Sequence, residues 1–105
     1  MNVWLDDNRM APSGWKHVKT AWDAIVLLKT CDVVVISLDH DLGDDKMFGT
    51  GYHVVLWMEE QTFMNPSFIM PEVLIHSANP VGVQKMMDGL NSIYQRLTNK
   101  NKNNI

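Results

Sequence analysis

Three short clusters hold the side chains in this chain that are suited to metal and phosphate chemistry: Asp6-Asp7 with Arg9, Asp39-His40-Asp41, and His76-Ser77-Ala78-Asn79. Carboxylates crowded within a few ångströms raise one another's pKa unless a cation lies between them. Magnesium takes one or two protein carboxylates and completes its shell with water and phosphate oxygens. Asp6, Asp7 and Asp39 are therefore candidate metal ligands, and Mg2+ or another divalent cation is the expected cofactor. The ordinary alternative is that Asp6 or Asp41 caps a turn or helix. His40 and His76 each follow an apolar run, so both are expected to open into one crevice. Two imidazoles flanking a phosphate ester can work as general base and general acid, with Asp39 beside them. The alternatives are a metal ligand, or a histidine that holds a loop carbonyl.

Around these groups stand residues able to bind an anion. The planar fork of Arg9 suits phosphate oxygens, or it pairs with Asp7 or Asp44. Asp41, Ser77 and Asn79 complete the candidate substrate contacts, although Asn79 is equally placed to cap the helix that Pro80 opens. Gly43, Gly49 and Gly51 let a loop approach a ligand closely, but their spacing fits neither a Walker nor a dinucleotide signature. His17 and His53 lie in a short edge strand and a helix's first turn, as ordinary packing or surface histidines. The tryptophans are core residues, with Trp15 in a loop where it can also stack on a base.

The elements that must position these clusters follow from the apolar patterning. Asn2 to Leu5 reads as a buried strand and Lys16 to Lys19 as a short edge strand, with Pro12, Ser13 and Gly14 turning the chain between them. Thr20 with Asp23 marks a helix start, and Trp22, Ile25 and Leu28 keep helical spacing to about Lys29. Asp32 to Leu38 is a continuous β-branched run, the mark of a strand covered on both faces. A glycine-rich loop, a helix from about Gly51 to Phe63, a break at Asn65 to Pro71, a strand from Glu72 to Ile75 and a last helix follow. Strands alternating with helices predict a parallel α/β sheet, and such sheets place ligands at the carboxyl ends of their strands. Three of the four predicted strands end there in ionisable residues.

With strand order 2-1-3-4, the right-handed rule puts both helical crossovers on one face. The expected architecture is a three-layer α/β sandwich, mostly parallel and without a fifth strand, in which Val83 to Leu97 folds over the opposite face. The first connection is short for a parallel crossover, which leaves the direction of the second strand the least determined. The fourth strand becomes an edge that needs a loop cover or a homodimer partner.

The chain has 105 residues, 46% of them apolar, with a net charge of −3, which fits one domain with its own core. That domain is expected over residues 1–97, with 98–105 as a flexible polar tail. No basic block is present, so duplex nucleic acid is disfavoured as a partner while a single nucleotide is not. The one cysteine, Cys31, excludes an internal disulfide and is expected as a buried free thiol. No apolar run reaches the ~20 residues of a spanning helix, and no leader precedes the first strand, so no membrane partner and a cytoplasmic location are expected.

The strand-end clusters resemble those of response-regulator receiver domains. Asp6-Asp7 looks like the acidic pair that holds magnesium there, and Asp39 falls where receivers carry their phosphorylated aspartate. Gly51 resembles the glycine that begins the next helix, and Ser77-Ala78 the hydroxyl-then-alanine step. The lysine of a receiver's fifth strand has no counterpart. The motifs WLDDNR, SLDHDLGDD, GTGY and HSANP, from Trp4 to Pro80, resemble more closely the cyclic-phosphate processing receiver-like family. That resemblance implies a phosphoesterase acting on a cyclic phosphate of a nucleotide, nucleotide derivative or RNA end. Its alternatives are a binding module that sequesters such a ligand and, less favoured, a phosphoacceptor receiver.

Overall fold

The computed structural model describes residues 1–103. Its elements are β1 (Asn2–Leu5), β2 (Lys16–Val18), α1 (Ala21–Thr30), β3 (Val35–Leu38), α2 (Asp45–Phe48), α3 (Gly51–Met64), β4 (Glu72–Ile75) and α4 (Pro80–Asn103). All three strand pairings are parallel, in the order β2-β1-β3-β4. The short first connection is therefore a parallel one, with Val3 opposite Lys16. Its compactness comes from Gly14 at φ 84 and a turn in which the Trp15 N–H donates to the Pro12 carbonyl.

The register places Val3, Ile36 and Val73 in one row and Leu5, Leu38 and Ile75 in the next, all on one face of the sheet. Against that face pack Ala21, Ala24 and Leu28 of α1, Val54, Val55 and Met58 of α3, and Met86, Leu90 and Ile93 of α4. The last helix is integral to the core, as its apolar stripe predicts, but it does not cover the second face. After β4 the chain keeps the same crossover sense, and α4 settles beside α3, with Gly89 close against Val55. The arrangement is thus two layers and not a three-layer sandwich. The outer face carries Trp4, Ser37 and Leu74, and Leu74 is 43% exposed.

Local chemistry sets several boundaries. Thr20 caps α1 by accepting from the Asp23 N–H, as the sequence predicts. β3 begins only at Val35, because Val34 is exposed and the run from Asp32 is not covered on both faces. The glycine-rich loop contains the single-turn helix α2, capped by Asp44, which patterning missed because four residues are too few to show a period. Cys31 is exposed, not buried, since it caps the end of α1 outside the core. The polar stretch from Thr98, expected as a tail, continues α4 as far as Asn103; Asn104 and Ile105 lie outside the described residues.

Candidate functional site

Strand alternation carries Leu5 and Leu38 into the core and turns the next residues, Asp6 and Asp39, out at the carboxyl ends of adjacent strands. Asp6, Asp7 and Asp39 each offer a carboxylate oxygen, and the three oxygens lie within 4.8 Å of one another. The triad expected from sequence is therefore assembled. Asp6 is buried at 1% exposure, Asp39 is half-buried and Asp7 is exposed, so the cluster opens to solvent from a fixed base.

Asp6 is the most constrained member. Its Oδ1 accepts from the backbone N–H groups of Asn8 and Arg9 at 2.8 and 2.9 Å, and its Oδ2 lies 3.1 Å from His76 Nε2. Burial pushes its pKa up, but the two backbone donors and His76 outweigh that and hold it below the ordinary carboxylate value. Asp39 moves the other way. Burial first, then the neighbouring charge of Asp6, push it up, against the His40 N–H and the Ser77 hydroxyl. Hard oxygen donors of this kind suit magnesium, calcium or manganese, so the cluster fits a divalent cation.

The two histidines do not face each other. His76 continues the outward row of β4 and sits on the uncovered face. Its Nδ1 is 2.7 Å from Ser37 Oγ, and its ring stacks on the Trp4 indole at 3.7 Å and 5°. Both ring nitrogens are engaged by protein groups, and burial lowers the His76 pKa against the pull of Asp6. The two imidazoles expected to flank one crevice are therefore placed apart, and both ring nitrogens of His76 have protein partners. His40 lies on the helical side, its ring against Gly82 in the first turn of α4. Its Nδ1 is 2.8 Å from Asp41 Oδ1, and among the described residues no hydrogen bond engages Nε2.

Asp41 in turn accepts from Asn79 Nδ2 at 3.2 Å. The bonds from His40 and Asn79 hold its carboxyl below the ordinary value. Asn79 also takes the capping role, its Oδ1 accepting from the Gly82 N–H. The Ser77 hydroxyl accepts from the Asn79 N–H. Arg9 forms neither of the ion pairs considered for it: its guanidinium donates to the His76 carbonyl at 3.1 Å, tying the first loop to the end of β4. Four of its five N–H donors are free of that bond. Trp15 stands edge-on to Trp4 and packs the outer face.

His17 and His53 keep structural roles, as expected. His17 Nε2 is 2.7 Å from the Asp6 carbonyl, and His53 Nδ1 accepts from the Thr50 N–H at the start of α3. Patterning missed Ser37 and Gly82. A lone serine inside an apolar strand was too faint a signal for the first, and a glycine in a helix's first turn was the signal for the second. Asp7 also lines a recess of about 270 Å³ with Lys19, Thr20, Leu42, Gly43 and Phe48, on the β2 side of the cluster. Among the described residues, no helix is long and apolar enough to cross a membrane.

Searches of the curated proteins and of the solved structures return no match to this chain. The sequence model of the cyclic-phosphate processing receiver domain matches residues 1–92, which contain every residue of the site, and the chain belongs to that family.

Proposed function

We propose that the strand-end cluster hydrolyses a cyclic phosphate ester of a nucleotide-type ligand, with His40 as its proton-transfer group. What supports this reading is that Asp39 of the carboxylate cluster Asp6, Asp7 and Asp39 is followed in the chain directly by His40, whose ring is oriented by Asp41 and, through it, Asn79. A carboxylate holding Nδ1–H leaves Nε2 as the basic nitrogen, the arrangement that general-base histidines share. His40 Nε2 takes a proton from water as the water oxygen bonds to phosphorus. One ring P–O bond breaks, the ester oxygen leaves and is protonated, and a phosphate monoester results. Asp6, Asp7 and Asp39 would hold the divalent cation, magnesium being the first candidate. When bound, it supplies positive charge to the non-bridging phosphate oxygens. The free donors of Arg9 and the hydroxyl of Ser77 complete the anion's surroundings.

A mass-spectrometric screen of nucleoside 2′,3′-cyclic phosphates, ADP-ribose cyclic phosphates and cyclic dinucleotides, with and without Mg2+, tests the reading. Ring-opened monoester is expected for at least one class, with His40→Ala lowering turnover about 10²–10⁴-fold while ligand binding persists. Stoichiometric binding with intact ligand recovered would instead make the domain a sequestering module. An acid-labile phosphate on Asp39 after treatment with a small phosphodonor would return it to the signalling class.

A further inference from the structure

Asp6 and His76 are joined by a chain of hydrogen bonds that begins inside the sheet. Ser37, 3% exposed, lies 2.7 Å from His76 Nδ1, and His76 Nε2 lies 3.1 Å from Asp6 Oδ2. A carboxylate oxygen only accepts, so the shared proton resides on Nε2; Nδ1 is then an acceptor, and the Ser37 hydroxyl donates to it. The imidazole is also fixed in its plane by the Trp4 indole, whose N–H donates to the Arg9 carbonyl at 3.1 Å. The other oxygen of Asp6 is held by the Asn8 and Arg9 N–H groups. Asp6 is thus gripped at both oxygens, from two directions, by groups that themselves cannot rotate.

We propose that His76 is a positioning residue for Asp6: the Ser37 bond holds the ring with Nε2 towards Asp6, and the Nε2–H sets the Asp6 carboxylate in the single orientation the acidic cluster needs to hold a divalent cation. This rests on the cation-dependent reading above, and it assigns His76 a role distinct from proton transfer. Partners that orient metal ligands in this way are worth about 10–100-fold in metal affinity when removed.

Two near-isosteric replacements separate positioning from packing. A glutamine amide reaches the place of imidazole Nε2 and can still donate to Asp6. An asparagine amide reaches only the place of Nδ1 and meets Ser37 instead. Calorimetric titration with Mg2+ is expected to show His76→Gln near the wild type, and His76→Asn and His76→Ala weaker by about 10–100-fold. In the cation-free protein, 15N spectra are expected to show protonated Nε2 and unprotonated Nδ1 on His76. Side-chain couplings of Asp6 should report one rotamer in the wild type and His76→Gln, and averaging in His76→Asn. Equal Mg2+ affinity in all variants, a protonated Nδ1, or an unchanged Asp6 rotamer in His76→Asn would overturn the role. If wild-type protein binds no Mg2+, the cation reading falls, and the tautomer and rotamer data still decide whether His76 positions Asp6.

Discussion

The imidazole of His40 rests against the backbone of Gly82: a β-carbon at position 82 would stand 2.4 Å from its Cγ and 2.8 Å from its Cβ and Cδ2. The first turn of α4 therefore forms the floor under the one site histidine with a free ring nitrogen. The same turn is capped by Asn79, which also holds Asp41, so one helix start fixes both the ring and the carboxylate that orients it.

Gly82→Ala follows directly. In an exposed helix, alanine gains about 1 kcal/mol over glycine. Here the clash involves atoms next to the His40 backbone, which cannot swing away, and overpacking of this kind costs about 1–3 kcal/mol. The expected result in urea unfolding is a net loss of stability, smaller in a His40→Ala background where Cγ and Cδ2 are gone. If the proposed chemistry holds, Gly82→Ala also lowers turnover, because the ring is displaced.

Asp39 supplies a test of the cluster's charge. Its folded pKa is raised, so the stability it contributes is complete below the ordinary value of 3.8 and is lost as pH rises through the folded value. At neutral pH the cation-free protein bears that cost. Asp39→Asn removes it and should raise Tm. The wild type should gain Tm on adding Mg2+ at pH 7 and gain less in acid, as Asp39 takes up its proton; Asp39→Asn should respond weakly at both. Thermal melts at neutral and acid pH, with and without Mg2+, check the set.

The sequence carried much of this arrangement and withheld the rest for physical reasons. Asp6, Asp7 and Asp39 were predictable as neighbours because a parallel sheet in the order 2-1-3-4 places the ends of β1 and β3 side by side. The separation of His40 from His76 was not. Both follow strands, but His40 is the second residue beyond β3 and His76 the first beyond β4, so alternation turns them to different sides. That one-residue difference outweighs the likeness of their motifs. The missing third layer has a similar origin: an amphipathic helix reveals that it has a partner, not which face of the sheet the partner is. Ser37 was concealed by its neighbours, since one hydroxyl barely alters an apolar run.

Gly51 is the glycine whose replacement should be most damaging. A β-carbon there would lie 2.2 Å from the Asp39 carbonyl oxygen and 2.9 Å from Met86 Sδ. The sulfur can move, but the carbonyl belongs to the backbone that presents Asp39. Gly51→Ala is expected to cost more than about 3 kcal/mol, at the upper end of overpacking effects. If the chain instead relaxes by shifting the β3 tip, Mg2+ affinity should fall together with the urea midpoint. A wild-type midpoint with wild-type affinity would contradict the close approach of α3 to the end of β3.

Asp6 and His76 together should set the acid limb of stability. His76 has a lowered folded pKa, so its contribution is complete above the ordinary 6.5 and declines as pH falls below that towards the folded value. Asp6 is also lowered, and its contribution is complete above 3.8 and lost as pH falls through its own folded value. The urea midpoint should therefore decline in two stages, one below pH 6.5 and a second below pH 3.8. Asp39 acts in the opposite sense, gaining stability as it is protonated, which should flatten the interval between them. His76→Gln removes the first stage and keeps the second. Asp6→Ala strands two backbone N–H groups and the His76 N–H, and at about one to three kcal/mol for each unsatisfied buried donor it should cost at least about 3 kcal/mol at pH 7. A single-stage acid decline unaffected by His76→Gln would show that the imidazole titrates in the folded protein as it does in the unfolded chain, and that burial does not outweigh the pull of Asp6.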